Sequence, residues 1–257
     1  MDLKAGNAIY SFDIDRCRLN IICKYVPDST ELLLFIHGLA CSWDSFRNVL
    51  DKDYFPGKSL LLPDLAGFGD SSKPEGFSYK MEDQAHLIDK LLSNFPNCNI
   101  HIAAHSMGGA IALLLNEDTL SRVKTFSNIE GNLIGEDCGM LSRGVISVNF
   151  TEYCDNLYKK HLIEFNGHHQ LRFEKTDPLV IYKSADSLVK WSDSGELLCK
   201  FKSLNCRKCY FYGEENNNMP VLKKLGPIEK FMISKSGHGL MTENPDEFYT
   251  KLKSFVG

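Results

Sequence analysis

A short segment near the middle of the chain places a serine between an apolar strand and a helix rich in small residues. Residues 99–105 read Asn-Ile-His-Ile-Ala-Ala-His, and Ser106 is followed by Met-Gly-Gly-Ala-Ile-Ala. Ala104 and Gly108 stand two residues before and two residues after the serine, where larger side chains would clash across a sharp turn. The pattern predicts a strained strand-to-helix turn that presents the Ser106 hydroxyl to a pocket.

A serine hydroxyl becomes a good nucleophile only when a neighbouring base accepts its proton. His238 lies after the last predicted strand and just before the final helix, between Gly237 and Gly239. Because the two glycines leave this loop free to bend, we predict that His238 is the base that serves Ser106.

Attack by a serine on a carbonyl group also needs two donors for the developing oxyanion. The first expected donor is the backbone N–H of Met107, at the start of the helix that follows the serine. The second is the backbone N–H of Leu39, in the loop after the apolar run that ends at Ile36. We expect His37 to orient that loop through hydrogen bonds rather than to transfer protons.

The chain alternates apolar strands with amphipathic helices through most of its 257 residues. Strands that are apolar on both faces and are separated by helices indicate a mostly parallel sheet flanked by helices. The alternation stops between about residues 135 and 205, where the sequence is helical in character. We therefore predict an α/β core formed by residues 1–134 and 206–257, with residues 135–205 inserted as a helical cap or lid.

Two helix starts carry capping signals. Ser78 precedes a helix with apolar residues at helical spacing, and we expect it to be the N-cap. Asn244 precedes Pro245 and stands three residues before Glu247, which predicts a capping box at the final helix.

Four segments together resemble the α/β-hydrolase superfamily, in the branch with a helical cap. They are His37-Gly38, the loop Asp64–Ser71, the turn Ala104–Gly109, and Gly237-His238 followed by Asn244-Pro245. The resemblance implies the α/β-hydrolase fold and a chain order of serine, acid and histidine. It also implies a structural role for the Asp64–Ser71 loop.

The same resemblance implies hydrolysis of a small carboxylic ester, thioester or amide through an acyl-enzyme, most simply by a carboxylesterase-like enzyme (EC 3.1.1). Haloalkane dehalogenases and epoxide hydrolases of this fold carry aspartate where this chain has Ser106, which argues against both activities. C–C bond hydrolases, lyases and acyltransferases share the serine triad and remain alternatives. A further alternative is a ligand receptor that keeps the fold without turnover, because fold alone does not choose among functions.

The acid of the predicted triad departs from the family's pattern. The family's aspartate usually follows the strand that ends here at Gly213, but this chain has Asn216 at that position. A neutral amide cannot stabilise an imidazolium as a carboxylate does. Some family members place a glutamate after the preceding strand, and Glu130 occupies that position. We predict Glu130 as the acid, with Glu215 as the alternative.

Composition and the remaining motifs limit the classes of molecule that the protein is expected to bind. A net charge of −4 gives no reason to expect binding to nucleic acid, and no apolar run is long enough to insert into a membrane. The nine cysteines and the lack of a secretory signal predict free thiols in the cytoplasm. The pair His168-His169 lacks companion ligands, so we expect no metal and no other cofactor. The expected partner is a small-molecule acyl substrate, bound by a monomer or homodimer.

Overall fold

The protein, studied as a computed structural model, is described for residues 3–139, 141–164 and 173–257. Eight strands form one sheet in the order β1-β2-β4-β3-β5-β6-β7-β8. Strand β2 runs antiparallel to β1 and to β4, and all other neighbouring strands are parallel. The prediction of a mostly parallel sheet is therefore confirmed. The strands are β1 Gly6–Ile14, β2 Cys17–Tyr25, β3 Glu31–Ile36, β4 Ser59–Pro63, β5 Asn99–His105, β6 Val123–Ile129, β7 Arg207–Gly213 and β8 Glu229–Ile233.

Both faces of the sheet are buried because helices cover each of them. Strand β3 illustrates the arrangement, since Leu32 and Leu34 contribute to the hydrophobic cluster on one face. Leu33 and Phe35 contribute to a separate cluster on the other face. Each buried leucine or phenylalanine contributes roughly 1.5–3 kcal/mol through removal of apolar surface from water. This two-sided burial explains why β3 and its neighbour β4 are nearly continuous apolar runs rather than alternating ones.

Eleven α-helical segments have both ends within the described part of the chain, and several span only one turn. They are α1 Met81–Leu92, α2 Met107–Leu113, α3 Glu117–Ser121, α4 Ser142–Val145, α5 Phe150–Glu152, α6 Tyr158–Glu164, α7 Pro178–Ser194, α8 Glu196–Ser203, α9 Pro220–Lys224, α10 Leu240–Glu243 and α11 Pro245–Val256. Three segments are 3₁₀ turns, at Trp43–Leu50, Gly135–Cys138 and Glu214–Asn216, and one is a π-helical turn at Tyr153–Leu157.

Among the described residues between 135 and 205, every regular element is helical. Helix α7 connects this region to the rest of the molecule. The Ser187 hydroxyl accepts a hydrogen bond from the Met81 N–H (3.1 Å), and the Ser184 hydroxyl donates to the Tyr79 carbonyl (3.2 Å). These contacts seat α7 against the start of α1.

The N-cap predicted at Ser78 was wrong, whereas the one predicted at Asn244 is confirmed in position but not in its side-chain hydrogen bond. Helix α1 has Lys80 at its N-cap, and the Ser78 hydroxyl instead accepts the Lys80 N–H (3.0 Å) and contacts the Asp83 carboxylate. Asn244 does stand at the N-cap of α11, but its side chain donates to the Ser234 carbonyl (2.9 Å) rather than accepting from the helix. The loop before α11 thus competes for the polar groups that the capping box would use.

Candidate active site

Ser106 lies between β5 and α2 with backbone angles of φ 52° and ψ −121°. This left-handed conformation is rare for residues other than glycine and costs on the order of 1–3 kcal/mol. Three hydrogen bonds hold it in place. The Ser106 N–H donates to the Ile129 carbonyl (3.0 Å), and the Ser106 carbonyl accepts from Gly109 (2.9 Å) and Asn132 (3.3 Å). The serine is therefore fixed at the carboxyl edge of the sheet.

Small residues after the serine permit close packing of the turn. A Cβ atom on Gly108 would lie 2.4 Å from the Ile36 carbonyl oxygen, and one on Gly109 would lie 2.9 Å from the Gly131 Cα. Both distances are far below van der Waals contact, so no larger residue fits without moving backbone. The small residues of the sequence pattern therefore have a steric cause.

His238 and Glu130 lie in direct contact. The Nδ1 atom of His238 is 2.7 Å from Oε2 of Glu130, whose side chain is fully buried. Because the carboxylate accepts this hydrogen bond, Nδ1 carries the proton and Nε2 is the basic nitrogen of the neutral ring. The pair has the orientation that a general base and its orienting acid require.

The loop that carries His238 is anchored on both sides. The Gly237 N–H donates to the Glu243 carboxylate (2.6 Å), and the His238 carbonyl accepts from Nε2 of His105 (3.0 Å). The rings of His105 and His238 also lie 4.5 Å apart. Since His105 directly precedes Ser106, these contacts place the His238 ring beside the serine turn. Within the described chain, no hydrogen bond joins the Ser106 hydroxyl to His238; such bonds often form only when substrate binds.

Leu39, in the loop after β3, and Met107, at the first position of α2, are buried residues. Neither backbone N–H has a backbone hydrogen-bond partner among the described residues. These are the two positions at which the sequence predicts donors for an oxyanion. Gly38 lies directly against the serine, because a Cβ added to it would be 3.1 Å from the Ser106 Cβ.

His37 connects the Leu39 loop to the loop after β4. Its Nε2 accepts the Leu65 N–H (3.0 Å), which leaves the proton on Nδ1 for donation to the Gly38 carbonyl (2.8 Å). The neighbouring Asp64 carboxylate accepts N–H groups from Trp43 (2.8 Å) and Asp70 (2.9 Å), and burial raises its pKa. Both side chains orient backbone.

Glu215, the alternative acid, is exposed and has no ion pair with His238 within the described chain. Asn216, which sequence reasoning left without a role, instead contacts Glu130. Its Nδ2 atom lies 2.9 Å from each oxygen of the carboxylate. The sequence contains one signal for a role of Asn216, which is that it stands where the family usually has its aspartate.

The described residues contain no group of three or more histidine, cysteine, aspartate or glutamate side chains arranged to hold a metal ion. The pair at positions 168 and 169 lies outside the described residues. All nine cysteines are free thiols, and burial raises the pKa of Cys23 to about 12. No helix in the described ranges is long and apolar enough to cross a membrane.

Known proteins support the fold that this geometry defines. A dehalogenase structure, the haloalkane dehalogenase DatA from Agrobacterium tumefaciens C58, superimposes with a TM-score of 0.78 over 98% of this chain and 96% of its own, at 15% identity. Residues 31–137 match the family described as the alpha/beta hydrolase fold. The chain therefore has the α/β-hydrolase fold, and the resemblance to that superfamily is confirmed.

Two curated relatives match at higher identity over shorter stretches. Lipase 3 of Moraxella sp. (strain TA144) is 40% identical over 84 residues, which cover 32% of this chain and 26% of the lipase. Probable lysophospholipase BODYGUARD 4 of Arabidopsis thaliana is 32% identical over 124 residues, covering 42% of this chain and 29% of its own length. The matched stretch thus spans less than a third of each relative.

Proposed function

We propose that this protein is a serine hydrolase that cleaves a small carboxylic ester, with Ser106 as nucleophile, His238 as base and Glu130 as acid. The observation that carries the proposal is the 2.7 Å contact between His238 Nδ1 and the buried Glu130 carboxylate, beside a serine held in a strained turn. Any buried carboxylate needs hydrogen-bond donors, but a partly exposed histidine beside a strained serine is the donor that a catalytic acid requires.

The proposed reaction begins when Ser106 Oγ attacks the ester carbonyl carbon and its proton passes to His238 Nε2. The carbonyl oxygen becomes an oxyanion that accepts the N–H groups of Leu39 and Met107. Collapse of this intermediate breaks the bond to the alcohol, which leaves with the proton from His238. Water then hydrolyses the acyl-enzyme by the same steps, while Glu130 stabilises each imidazolium.

The names of the relatives favour esters over other acyl compounds, because they include lipases and a probable lysophospholipase. Because the aligned stretches are short, an ester substrate is assigned to this chain only as part of the proposal. We further propose that residues 135–205 form a cap whose helices set the size and shape of the substrate. The support for the cap is the seating of α7 on the core next to α1.

The test combines active-site labelling with a substrate series. A fluorophosphonate probe should label the wild type, and Ser106→Ala should abolish labelling and lower kcat for p-nitrophenyl esters by on the order of 10⁴-fold or more. Ser121→Ala is a matched control, because the hydrogen bond of that exposed hydroxyl among the described residues goes to the Asp118 carbonyl. Comparison of acyl chains of increasing length then measures the limit that the cap imposes. Equal labelling of the wild type and Ser106→Ala would refute the proposal.

A further inference from the structure

Asn216 bridges the carboxylate of Glu130. The residue closes the 3₁₀ turn Glu214–Asn216 that directly follows β7, and its Nδ2 lies 2.9 Å from Oε1 and 2.9 Å from Oε2. Both partners of the amide are carboxylate oxygens, which only accept hydrogen bonds when ionised, so the NH₂ group and not the carbonyl faces Glu130.

Each oxygen of Glu130 has one further donor among the described residues. Oε1 accepts the Gly213 N–H (2.8 Å), and Oε2 accepts from His238 Nδ1 (2.7 Å). Of these donors, the Asn216 amide alone bonds to both oxygens. Rotation about the last bond of a glutamate side chain is otherwise broad, so a bridging donor fixes the plane of the carboxylate.

We propose that Asn216 is a positioning residue for the proposed reaction. Its side-chain amide holds the Glu130 carboxylate in the plane that His238 Nδ1 requires. The inference rests on the proposed function, in which Glu130 orients His238. Asn216 acts through Glu130 and touches no reacting atom. The family usually has its acid at the position of Asn216. In this chain that position instead supplies a hydrogen-bond donor, which orients the acid Glu130 at the end of the neighbouring strand β6.

The amide suits this place better than a carboxylate for an electrostatic reason. A second carboxylate at 2.9 Å from the first would put two like charges in contact, and one of them would have to take up a proton. An amide donates two hydrogen bonds and adds no charge. Charge-assisted bonds of this kind are about twice as strong as neutral ones.

The turn that carries Asn216 is held by backbone bonds that do not involve the asparagine side chain. The Glu215 N–H donates to the Ser236 carbonyl (3.1 Å), and the Asn217 N–H donates to the Glu214 carbonyl (3.3 Å). Replacement of the side chain therefore leaves these bonds in place, and the variants test orientation rather than folding.

The experiment compares Asn216→Ala, which removes the donor, with Asn216→Asp, which replaces it with a carboxylate of the same shape. Asn217→Asp and Asn218→Asp are matched controls, because they introduce the same charge at the exposed neighbouring positions. We expect kcat for the best ester to fall roughly 10- to 100-fold in both Asn216 variants, with KM changed less than about threefold. The controls should keep wild-type kcat.

A second readout does not depend on the substrate. The proton in the 2.7 Å hydrogen bond between His238 Nδ1 and Glu130 should give a far-downfield ¹H NMR resonance. We expect this resonance to shift or broaden in the Asn216 variants and to stay unchanged in the controls. Wild-type kcat together with an unchanged resonance in Asn216→Asp at pH 8 would overturn the inference. If Ser106→Ala fails to abolish labelling, the proposed function fails, whereas the resonance still shows whether Asn216 orients Glu130.

Discussion

Asp137 offers a quantitative test of the structure next to the candidate site. It lies in the 3₁₀ turn Gly135–Cys138, and its Oδ2 accepts the N–H groups of Leu133 (2.9 Å) and Ile134 (3.1 Å). Its other oxygen is buried without a hydrogen-bond partner among the described residues. Burial raises the pKa of this carboxyl from its ordinary 3.8 to about 6, against the smaller opposing effect of the two N–H groups.

The raised pKa of Asp137 determines both the sign and the size of its effect on the free energy of unfolding. Because the folded-state pKa is raised, the folded protein holds this proton more tightly than the unfolded chain does. The contribution of Asp137 is most favourable below about pH 4 and falls as the pH rises, until the loss is complete above about pH 6. Each tenfold change in an equilibrium constant is about 1.4 kcal/mol, so the ionised carboxylate costs on the order of 3 kcal/mol at neutral pH.

Asp137→Asn keeps the shape and an acceptor for the two N–H groups but cannot ionise. We expect its free energy of unfolding at pH 8 to exceed that of the wild type by up to about 3 kcal/mol, and the difference to shrink towards zero at pH 4. Urea unfolding at the two pH values measures this. Asp155→Asn is the control, since it removes the same charge at an exposed position and should change stability by no more than about 0.5 kcal/mol. A difference between Asp137→Asn and wild type that is the same at both pH values would refute the reasoning.

Two further predictions concern the acid and the serine turn. Glu130→Gln should lower kcat by roughly 10⁴-fold, because a neutral amide cannot stabilise the imidazolium, while Glu215→Gln, at an exposed position, should change kcat less than a few-fold. Steady-state kinetics on folded variants checks this, and the opposite ranking would move the acid to the later loop. Gly108→Ala should destabilise the protein by about 1–3 kcal/mol and slow fluorophosphonate labelling, because its Cβ would lie 2.4 Å from the Ile36 carbonyl oxygen. Gly144→Ala meets nothing within 4 Å and is the control; equal thermal midpoints for the two variants would contradict this steric account.

The fold could be predicted from the sequence because its strands are buried on both faces. Runs such as 32–36 and 60–62 stand out as continuous apolar segments, and the structure has strands at these positions. The capping box predicted at Asn244 failed for a different reason, although Asn244 does stand at the N-cap. A capping box is a local pattern, but Asn244 bonds to Ser234, ten residues away, and the competing partner becomes visible only when the loop is folded.

The role of Asn216 lay beyond the sequence for the same physical reason. Its contact with Glu130 spans 86 residues of chain, and it depends on how the turn after β7 lies across the end of β6. The sequence showed only that a carboxylate was missing from one position and that another was available at Glu130. The contact between the Asn216 amide and the Glu130 carboxylate can be recognised only when the distance between them is known. Sequence pattern and helix or strand propensity do not give that distance.

The positions of Ser106 and Glu130 relative to each other follow from the register of three strands. Both residues have a positive φ, 52° and 42°, directly after strands β5 and β6. Their N–H groups continue the hydrogen-bond ladder past the strand ends, from Ser106 to Ile129 and from Glu130 to Phe211, each 3.0 Å. A shift of one residue in either pairing would turn every side chain of that strand to the opposite face. The buried apolar residues of the sheet therefore fix the register, and the register in turn sets the nucleophile and the acid of the proposed triad side by side.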